Sequence, residues 1–410
     1  MKISPNNLKI FANLPPEVLK IFAIFGENIR LVGGSLRDLI LEKKVNDYDF
    51  ACKFLPAEIQ KILKANNIKS IPTGLKYGTI TAVINNKNFQ ITTLRKDENQ
   101  KGRACDVNFV EDFFEDAKRR DFTINALYLD YRGEIHDYFN GLDDLQNRKV
   151  RFILDAKTRI QEDYLRILRF LRFSCNYAYE FDKADLKACL EFKNSLKKLS
   201  KERVREEFLK IIFSENSAQI INILNLFKEQ KIDDILWESD IDIEAFKQFL
   251  NFEKYSENND LKIIKIALIF LNLNLDIKNL NRNFCLTKIE NKFLKNCLDL
   301  LKKYHHKNID EREINQIVVE YSQNFTLNFY IIFCCKNFSE ISQNHLENII
   351  KYITNLRVPN FLFKISDLEK VNCPKKQLGS TLKALKIKWA QDNFELSHDQ
   401  FLTEVKNILK

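Results

Sequence analysis

Asp47 and Asp49, one residue apart in the run LVGGSLRDLILEKKVNDYDFAC, are the side chains of this sequence best suited to chemistry. On a strand, side chains alternate between faces, so the two carboxylates point one way and Tyr48 the other. Like charges at that range repel and add nothing to stability. They make sense when hard divalent cations sit between them, as in two-metal phosphoryl transfer, where ions about 3.5–4 Å apart clamp the attacking and leaving oxygens. Upstream, Gly33 and Gly34 let the backbone approach a ligand closely, and their N–H groups, with Ser35 and the start of the next helix, suit phosphate. Arg37 adds a permanent forked cation. A Gly-Gly turn or an Asp-x-Asp pair alone is usually a plain turn or a solvated strand edge. The ordered set of strand, GGS turn, helix with Arg-Asp, and strand with Asp-x-Asp points to nucleotidyl transfer.

These residues resemble the signature of the DNA polymerase β-type nucleotidyltransferase superfamily, and within it the class II bacterial tRNA nucleotidyltransferase (CCA-adding) and poly(A) polymerase family. The match continues in order through YGTITAV, FQITTLR, KRRDFTINALYLD, YFNGLDDLQ, RIQEDYLRILRFLRF and LSKERVREEF. That is roughly the first half of the chain, with a fainter echo near the C-terminus. The resemblance implies template-independent addition of CCA to tRNA 3′ ends from CTP and ATP. Two Mg²⁺ ions would be held by Asp47 and Asp49, and pyrophosphate released.

The resemblance gives Arg119, Arg120, Asp121 and Asn125 of the RRDFTINA run the sugar and triphosphate of the nucleotide, and adjacent arginines would offset that charge. Read from the residues alone, Asp121 suits a helix N-cap. Asp163, Arg166 and Arg169 are three apart in turn and share one face of a single helix. Alone, they read as a surface ion-pair ladder worth a few tenths of a kcal/mol per pair, although the stripe of Leu165, Leu168, Phe170 and Phe173 buries the opposite side. The resemblance places Asp163 and Arg166 at the Watson–Crick edge of the incoming base, with Arg169 also at the nucleotide. Arg offers donors and Asp acceptors that fit cytosine or adenine. Guanine or uracil would leave buried polar groups unmet at about 1–3 kcal/mol each.

Further expectations follow the same line. Ser200 caps a helix that carries Arg203 and Arg205 in its first turns, and by resemblance this helix steadies the base-reading one. Where the family usually carries an acid just before its V-T-T segment, this chain has Gln90, which has no charge and cannot act as a base. Two aspartates suffice, or Asp97 or Glu98 substitutes. The polar segment 95–116 corresponds to the family's flexible loop, whose presence favours full CCA addition. Lys375, Lys376, Lys383, Lys386 and Lys388 look like a tail that grips the tRNA elbow, or else a solvated lysine-rich helix. Poly(A) synthesis is the alternative product, but Lys76 and Tyr77 stand where such relatives carry a basic G-[RK]-R-F segment. A catalytically impaired RNA-binding relative is the other alternative, suggested by Gln90.

The elements that must position these residues change texture once. β-rich runs at 79–84 and 88–93 give way, from about residue 150, to helical periodicity such as Tyr164, Ile167, Leu168 and Leu171. The expected fold is α+β. A polymerase β-like nucleotidyltransferase head, a small mixed sheet with helices, spans 1–143. An all-helical neck for base recognition (144–215), body (216–355) and tRNA-binding tail (356–410) follow. Polar or Pro-containing connections are expected at 302–313 and 356–361. A net charge of +9 suits a polyanionic partner; the resemblance implies that this partner is tRNA, met at its acceptor arm and elbow, and implies no protein partner. Nine cysteines without zinc-ligand spacing read as reduced thiols. Five histidines include only two isolated His-Asp pairs, so no phosphohydrolase activity is expected. MKISPNNLKI lacks a signal core, and the apolar runs 266–271 and 329–335 are too short to span a bilayer. The reading is a cytoplasmic protein without membrane association.

Overall fold

A computed structural model describes residues 10–45, 47–101, 104–255, 260–304, 308–337, 341 and 343–409, without the side chains at 99–101, 104, 105 and 343. The N-terminal nine residues and positions 305–307 of the expected 302–313 connection lie outside these. The chain forms two compact units, Met1–Leu236 and Trp237–Lys410.

The first unit opens with α1 (Pro16–Phe25), β1 (Ile29–Val32), α2 (Gly34–Ile40), β2 (Tyr48–Cys52), α3 (Pro56–Ala65), β3 (Lys69–Gly74), β4 (Thr79–Ile84) and β5 (Lys87–Thr93). It continues with β6 (Arg95–Lys101), β7 (Ala104–Phe109), α4 (Phe113–Lys118), β8 (Leu127–Leu129), β9 (Ile135–Asp137) and α5 (Gly141–Gln146). The helices α6 (Ala156–Glu162), α7 (Leu165–Tyr177), α8 (Lys183–Glu191), α9 (Lys201–Ile212), α10 (Ser217–Glu229) and α11 (Ile232–Trp237) follow.

Seven strands form one mixed sheet in the order β3-β4-β5-β2-β1-β8-β9, parallel only between β2 and β5. The β-branched run TITAVI suits β4. Asn85 and Asn86, both at positive φ, form the tight turn into β5. Phe50, Ala51 and Cys52 of β2 are buried, whereas Tyr48 and Asp49 at its start are not. On one face, Val32, Ala51, Leu94, Phe113, Ala117, Ala126, Tyr128 and Ile153 form a closed apolar cluster.

Two expectations are corrected. The segment expected as a flexible loop pairs as the antiparallel hairpin β6–β7, with Asp97 opposite Val107, and then forms α4. The expected single helix through Asp163 is two. Asp163 has extended backbone (φ −153°, ψ 106°), so α6 ends at Glu162 and α7 starts at Leu165. Asp163 accepts the Leu165 N–H at 3.1 Å, a local bond that competes with continuing the helix.

Among the described residues of the second unit, every regular element is helical, so the α+β reading with a helical remainder holds. Residues 356–364 are non-helical, as expected. They feed a small core of Leu368, Leu385, Phe401 and Val405, where Phe363 stacks on Phe401 at 4.1 Å. No helix among the described residues is long and apolar enough to cross a membrane.

Candidate active site

β1 runs antiparallel to β2 with Val32 opposite Asp49, so the turn that follows β1 must emerge beside the carboxylates. Gly33 sits there at φ +76°, and a Cβ would lie 3.3 Å from Arg120 Nη1. Gly34 opens α2, and the buried Ser35 hydroxyl donates to the Val32 carbonyl at 3.0 Å, tying the turn to β1. Asp47, just before β2, and Asp49 are both exposed, and neither takes a hydrogen bond or ion pair from a described residue. Partial desolvation raises the Asp49 carboxyl above its ordinary value although its side chain reaches solvent. The Arg120 guanidinium pulls it back and the Asp47 charge adds to the rise.

Arg37, expected at phosphate, is turned inward. Its guanidinium, 5% exposed, forks onto Asp38 (2.9 Å twice), donates to Asn125 Oδ1 (2.5 Å) and lies over the Tyr177 ring at 4.1 Å. Its donors are committed to holding α2 against the RRDFTINA segment and α7. Asn125 is likewise occupied, donating its side-chain amide to Asp121 at 2.9 Å.

Arg119 and Arg120 share Asp116, which is 1% exposed. Asp116 also accepts the Tyr128 hydroxyl at 2.8 Å, and Arg120 Nε donates to Tyr128 at 2.9 Å. Burial opposes the Asp116 charge, but the two arginines and these bonds prevail and hold its pKa near about 2. Asp121 is not the helix cap the residues alone suggested. Phe122 precedes the short turn Thr123–Asn125, and the Asp121 carboxylate receives Arg169 through both Nε and Nη2. Despite its burial, Arg169 and Asn125 hold Asp121 near about 2. Arg120 therefore reaches the Gly33 turn and Asp49 while already wired to a buried acid, and Arg119 and Arg169 are wired to buried acids in the same way.

Asp163 and Arg166 are not a ladder. Arg203 Nη2 donates to Asp163 at 2.5 Å, linking α9 to the α6–α7 junction. Arg166 is buried and donates to Glu162 Oε2 at 2.5 Å and to the Arg159 carbonyl at 2.9 Å. Glu162 in turn receives Arg159 at 2.5 Å. Ser200 flanks α9 in extended conformation, but its side chain makes no capping bond. Arg169 and Arg172 both approach Glu207 of α9, at 4.0 and 2.6 Å.

Gln90 lies opposite Asp49 on β5, and Thr81 on β4 lies opposite Gln90. Beside them a cleft of about 430 Å³ is lined by residues that include Asp47, Ile71, Tyr77, Thr81, Asn88 and Gln90. Of the two acids expected as substitutes for a third carboxylate, Asp97 pairs with Arg95 (3.0 Å) and Arg119 (3.9 Å), and Glu98 lies 3.9 Å from Lys96. Lys375, Lys376, Lys383 and Lys386 belong to the second unit and are exposed; Lys383 lies 3.7 Å from Glu320.

Asp116, Tyr128, Arg159, Glu207 and Tyr177 were not singled out from the sequence. Asp116 was legible in principle, since it stands three and four residues before Arg119 and Arg120 on one helical face. Glu207 and Tyr177 meet their partners only through folding.

Residues 29–151 match the family profile described as "Poly A polymerase head domain", and residues 179–227 match "Probable RNA and SrmB- binding site of polymerase A". The human mitochondrial protein CCA tRNA nucleotidyltransferase 1 is 31% identical over 98% of this chain and 92% of its own length. A CCA-adding enzyme of Lactobacillus helveticus is 38% identical over 50% of this chain and 51% of that protein. The fold is similar to that of the Bacillus stearothermophilus CCA-adding enzyme in complex with CTP, with a TM-score of 0.74 at 22% identity over 96% and 98% of the two chains. It is also similar to the Thermotoga maritima CCA-adding enzyme complexed with tRNA, with a TM-score of 0.68 at 18% identity and complete coverage of both.

Proposed function

The chain belongs to the family of CCA tRNA nucleotidyltransferases, and on that premise we propose that it adds C, C and A in turn to tRNA 3′ ends, using CTP and ATP and releasing pyrophosphate. One observation carries this reading. Asp47 and Asp49, two carboxylates with no bonding partner among the described residues, stand beside the glycine turn, where Arg120 is close enough to act on Asp49.

Two hard oxygen donors, left unpartnered and with Asp49 already disfavoured as a lone charge, fit divalent magnesium. Bound there, two Mg²⁺ ions would supply activation of the acceptor 3′-hydroxyl and charge neutralisation at the phosphates. In the reaction the 3′-oxygen forms a bond to the α-phosphorus of the nucleotide, and the bond from that phosphorus to the pyrophosphate oxygen breaks. In our reading the backbone at Gly33 and Gly34 and the cations of Arg119, Arg120 and Arg169 receive the triphosphate, while Ser35, Arg37, Asp121 and Asn125 hold that surface in place. Asp163 and Arg166 read the base edge, kept in position by Arg203 and Glu162. Residues 1–143, 144–215, 216–355 and 356–410 serve as head, neck, body and tail. The exposed lysines from Lys375 to Lys386 meet tRNA at the elbow, and the protein works in the cytoplasm.

The test uses three tRNA transcripts, ending before CCA, after one C and after CC, each incubated with purified protein, Mg²⁺ and CTP or ATP singly and together. The expected result is extension to CCA and a stop there. Unlimited A addition would replace the reading with poly(A) synthesis. A folded, tRNA-binding protein that incorporates nothing would replace it with an impaired relative.

A further inference from the structure

α7 carries Arg166 in its first turn and ends at Tyr177, about 16 Å further along the axis at 1.5 Å per residue. Its N-terminal half is tied to the head by Arg169, which forks onto Asp121. Its last residue is tied there separately, across 139 positions of the chain: the Tyr177 hydroxyl donates to Asp38 Oδ1 at 2.9 Å. The Tyr177 ring also meets two cations of that segment, the Arg37 guanidinium at 4.1 Å and Lys43 Nζ at 4.8 Å. Asp38 Oδ1 accepts Arg37 Nε as well, so one carboxylate holds both the end of α7 and the guanidinium packed against the glycine turn. There a Cβ added to Gly34 would lie 3.4 Å from Arg37 Nη2. Burial pushes the Tyr177 hydroxyl up to about 12 against the pull of Arg37, so it stays protonated and a donor.

In the reading above, one nucleotide is held at two places, its phosphates at the Gly33–Gly34 turn before α2 and its base at Asp163 and Arg166. Tyr177, at the other end of α7, can touch neither Asp163 nor Arg166. What it can set is the angle of the helix. A helix tied to its neighbour at one point can pivot there, whereas one tied at two points keeps its tilt. Two anchors on one ligand reinforce each other only when their separation matches the ligand's span.

We infer that Tyr177 is a positioning residue: through Asp38 and Arg37 it fixes the tilt of α7 against α2, and with it the separation between the phosphate anchor and the base anchor. The inference rests on the reading of the protein as a tRNA nucleotidyltransferase.

The experiment compares wild type, Tyr177→Phe and Tyr177→Leu on tRNA ending before CCA, with CTP or UTP as the nucleotide and thermal melts on the same preparations. UTP is the one-anchor probe, because it brings the same triphosphate but leaves the base readers unmet. Tyr177→Phe keeps the ring and removes the hydroxyl. It should raise the KM for CTP about 3- to 10-fold, the value of one net hydrogen bond, with the KM for tRNA unchanged and kcat/KM for UTP within about twofold. The preference for CTP over UTP then falls by the same factor as CTP binding. Tyr177→Leu also takes the ring from Arg37 and Lys43 and should lose more. A merely structural role would lower the melting temperature and leave the preference at its wild-type value in both variants, which overturns the inference. An equal loss for CTP and UTP overturns it too, because the damage then lies in the phosphate turn itself. In both of these cases a wild type that prefers CTP keeps the functional reading. A wild type that incorporates nothing, or takes CTP and UTP alike, removes that reading and the role of Tyr177 with it.

Discussion

Asp49 and Asp116 are both acids of the head, yet their charges meet opposite surroundings. Asp49 faces solvent and another carboxylate, and desolvation already raises its pKa. Asp49→Asn is expected to leave folding intact, with a melting temperature equal to or above wild type, because a repulsion is removed. Incorporation should fall on the order of 10³-fold or more, as loss of several kcal/mol of transition-state charge stabilisation requires. Gel assays and thermal melts on the same preparation check both halves. Asp116 is buried beneath Arg119, Arg120 and Tyr128. Asp116→Ala would strand those arginines, so we expect a stability loss of about 3–5 kcal/mol by chemical denaturation. Its native pKa near about 2 lies below the ordinary 3.8. That contribution is therefore present above the ordinary value and is lost as pH falls from near 4 toward 2.

At the scale of elements, the break between α6 and α7 matters most. A continuous helix would have put Asp163 and Arg166 on one ladder; the break lets Arg203 of α9 hold Asp163 while Glu162 holds Arg166. If this junction sets the base-reading geometry, Arg203→Ala should narrow the preference for CTP and ATP over UTP and GTP by about tenfold, the effect of loosening one charge-assisted bond. Misincorporation kinetics with each nucleotide measures it. A second junction holds α8 to the segment before α6, where Asp185 accepts the Phe152 N–H at 2.8 Å and Phe152 bridges to Phe122 of the head. Burial, opposed by that bond, pushes the Asp185 carboxyl up to about 6. The folded state then holds this proton more tightly than the unfolded one, so the group costs stability as pH rises from near 4 through 6. Asp185→Asn keeps the acceptor without the charge. It should melt higher than wild type at pH 7, with the difference vanishing near pH 4.

At the scale of the molecule, the net charge of +9 bears on association more than on fold. Lys375, Lys376, Lys383 and Lys386 are exposed in the second unit. If they meet phosphates, changing all four to Ala should weaken tRNA binding across sequences and reduce the slope of log affinity against log salt by roughly 3 to 4. Titrations at several salt concentrations read that slope directly, and an unchanged slope removes these lysines from the interface.

The sequence by itself determined the α+β architecture, the nucleotidyltransferase family and the candidate carboxylates, because each depends on local order. A strand, a glycine turn and an Asp-x-Asp pair lie within two dozen residues, and a change from β-rich runs to helical spacing needs no distant partner. Only the tertiary structure showed which partners each cation meets. Arg37, expected at phosphate, is surrounded by Asp38, Asn125 and Tyr177. Asp121 looked like a cap until Arg169, far along the chain, reached it. The polar segment after β5 looked like a loop until its two arms paired as β6 and β7. Gln90 was legible as a missing acid, but its place opposite Asp49 and beside a cleft came from strand register. An arginine's role depends on which acid it meets: Asp38, Asp116 and Glu162 lie close in the chain to theirs, but Arg169 meets Asp121 and Arg203 meets Asp163 across 48 and 40 residues, beyond the reach of periodicity and spacing.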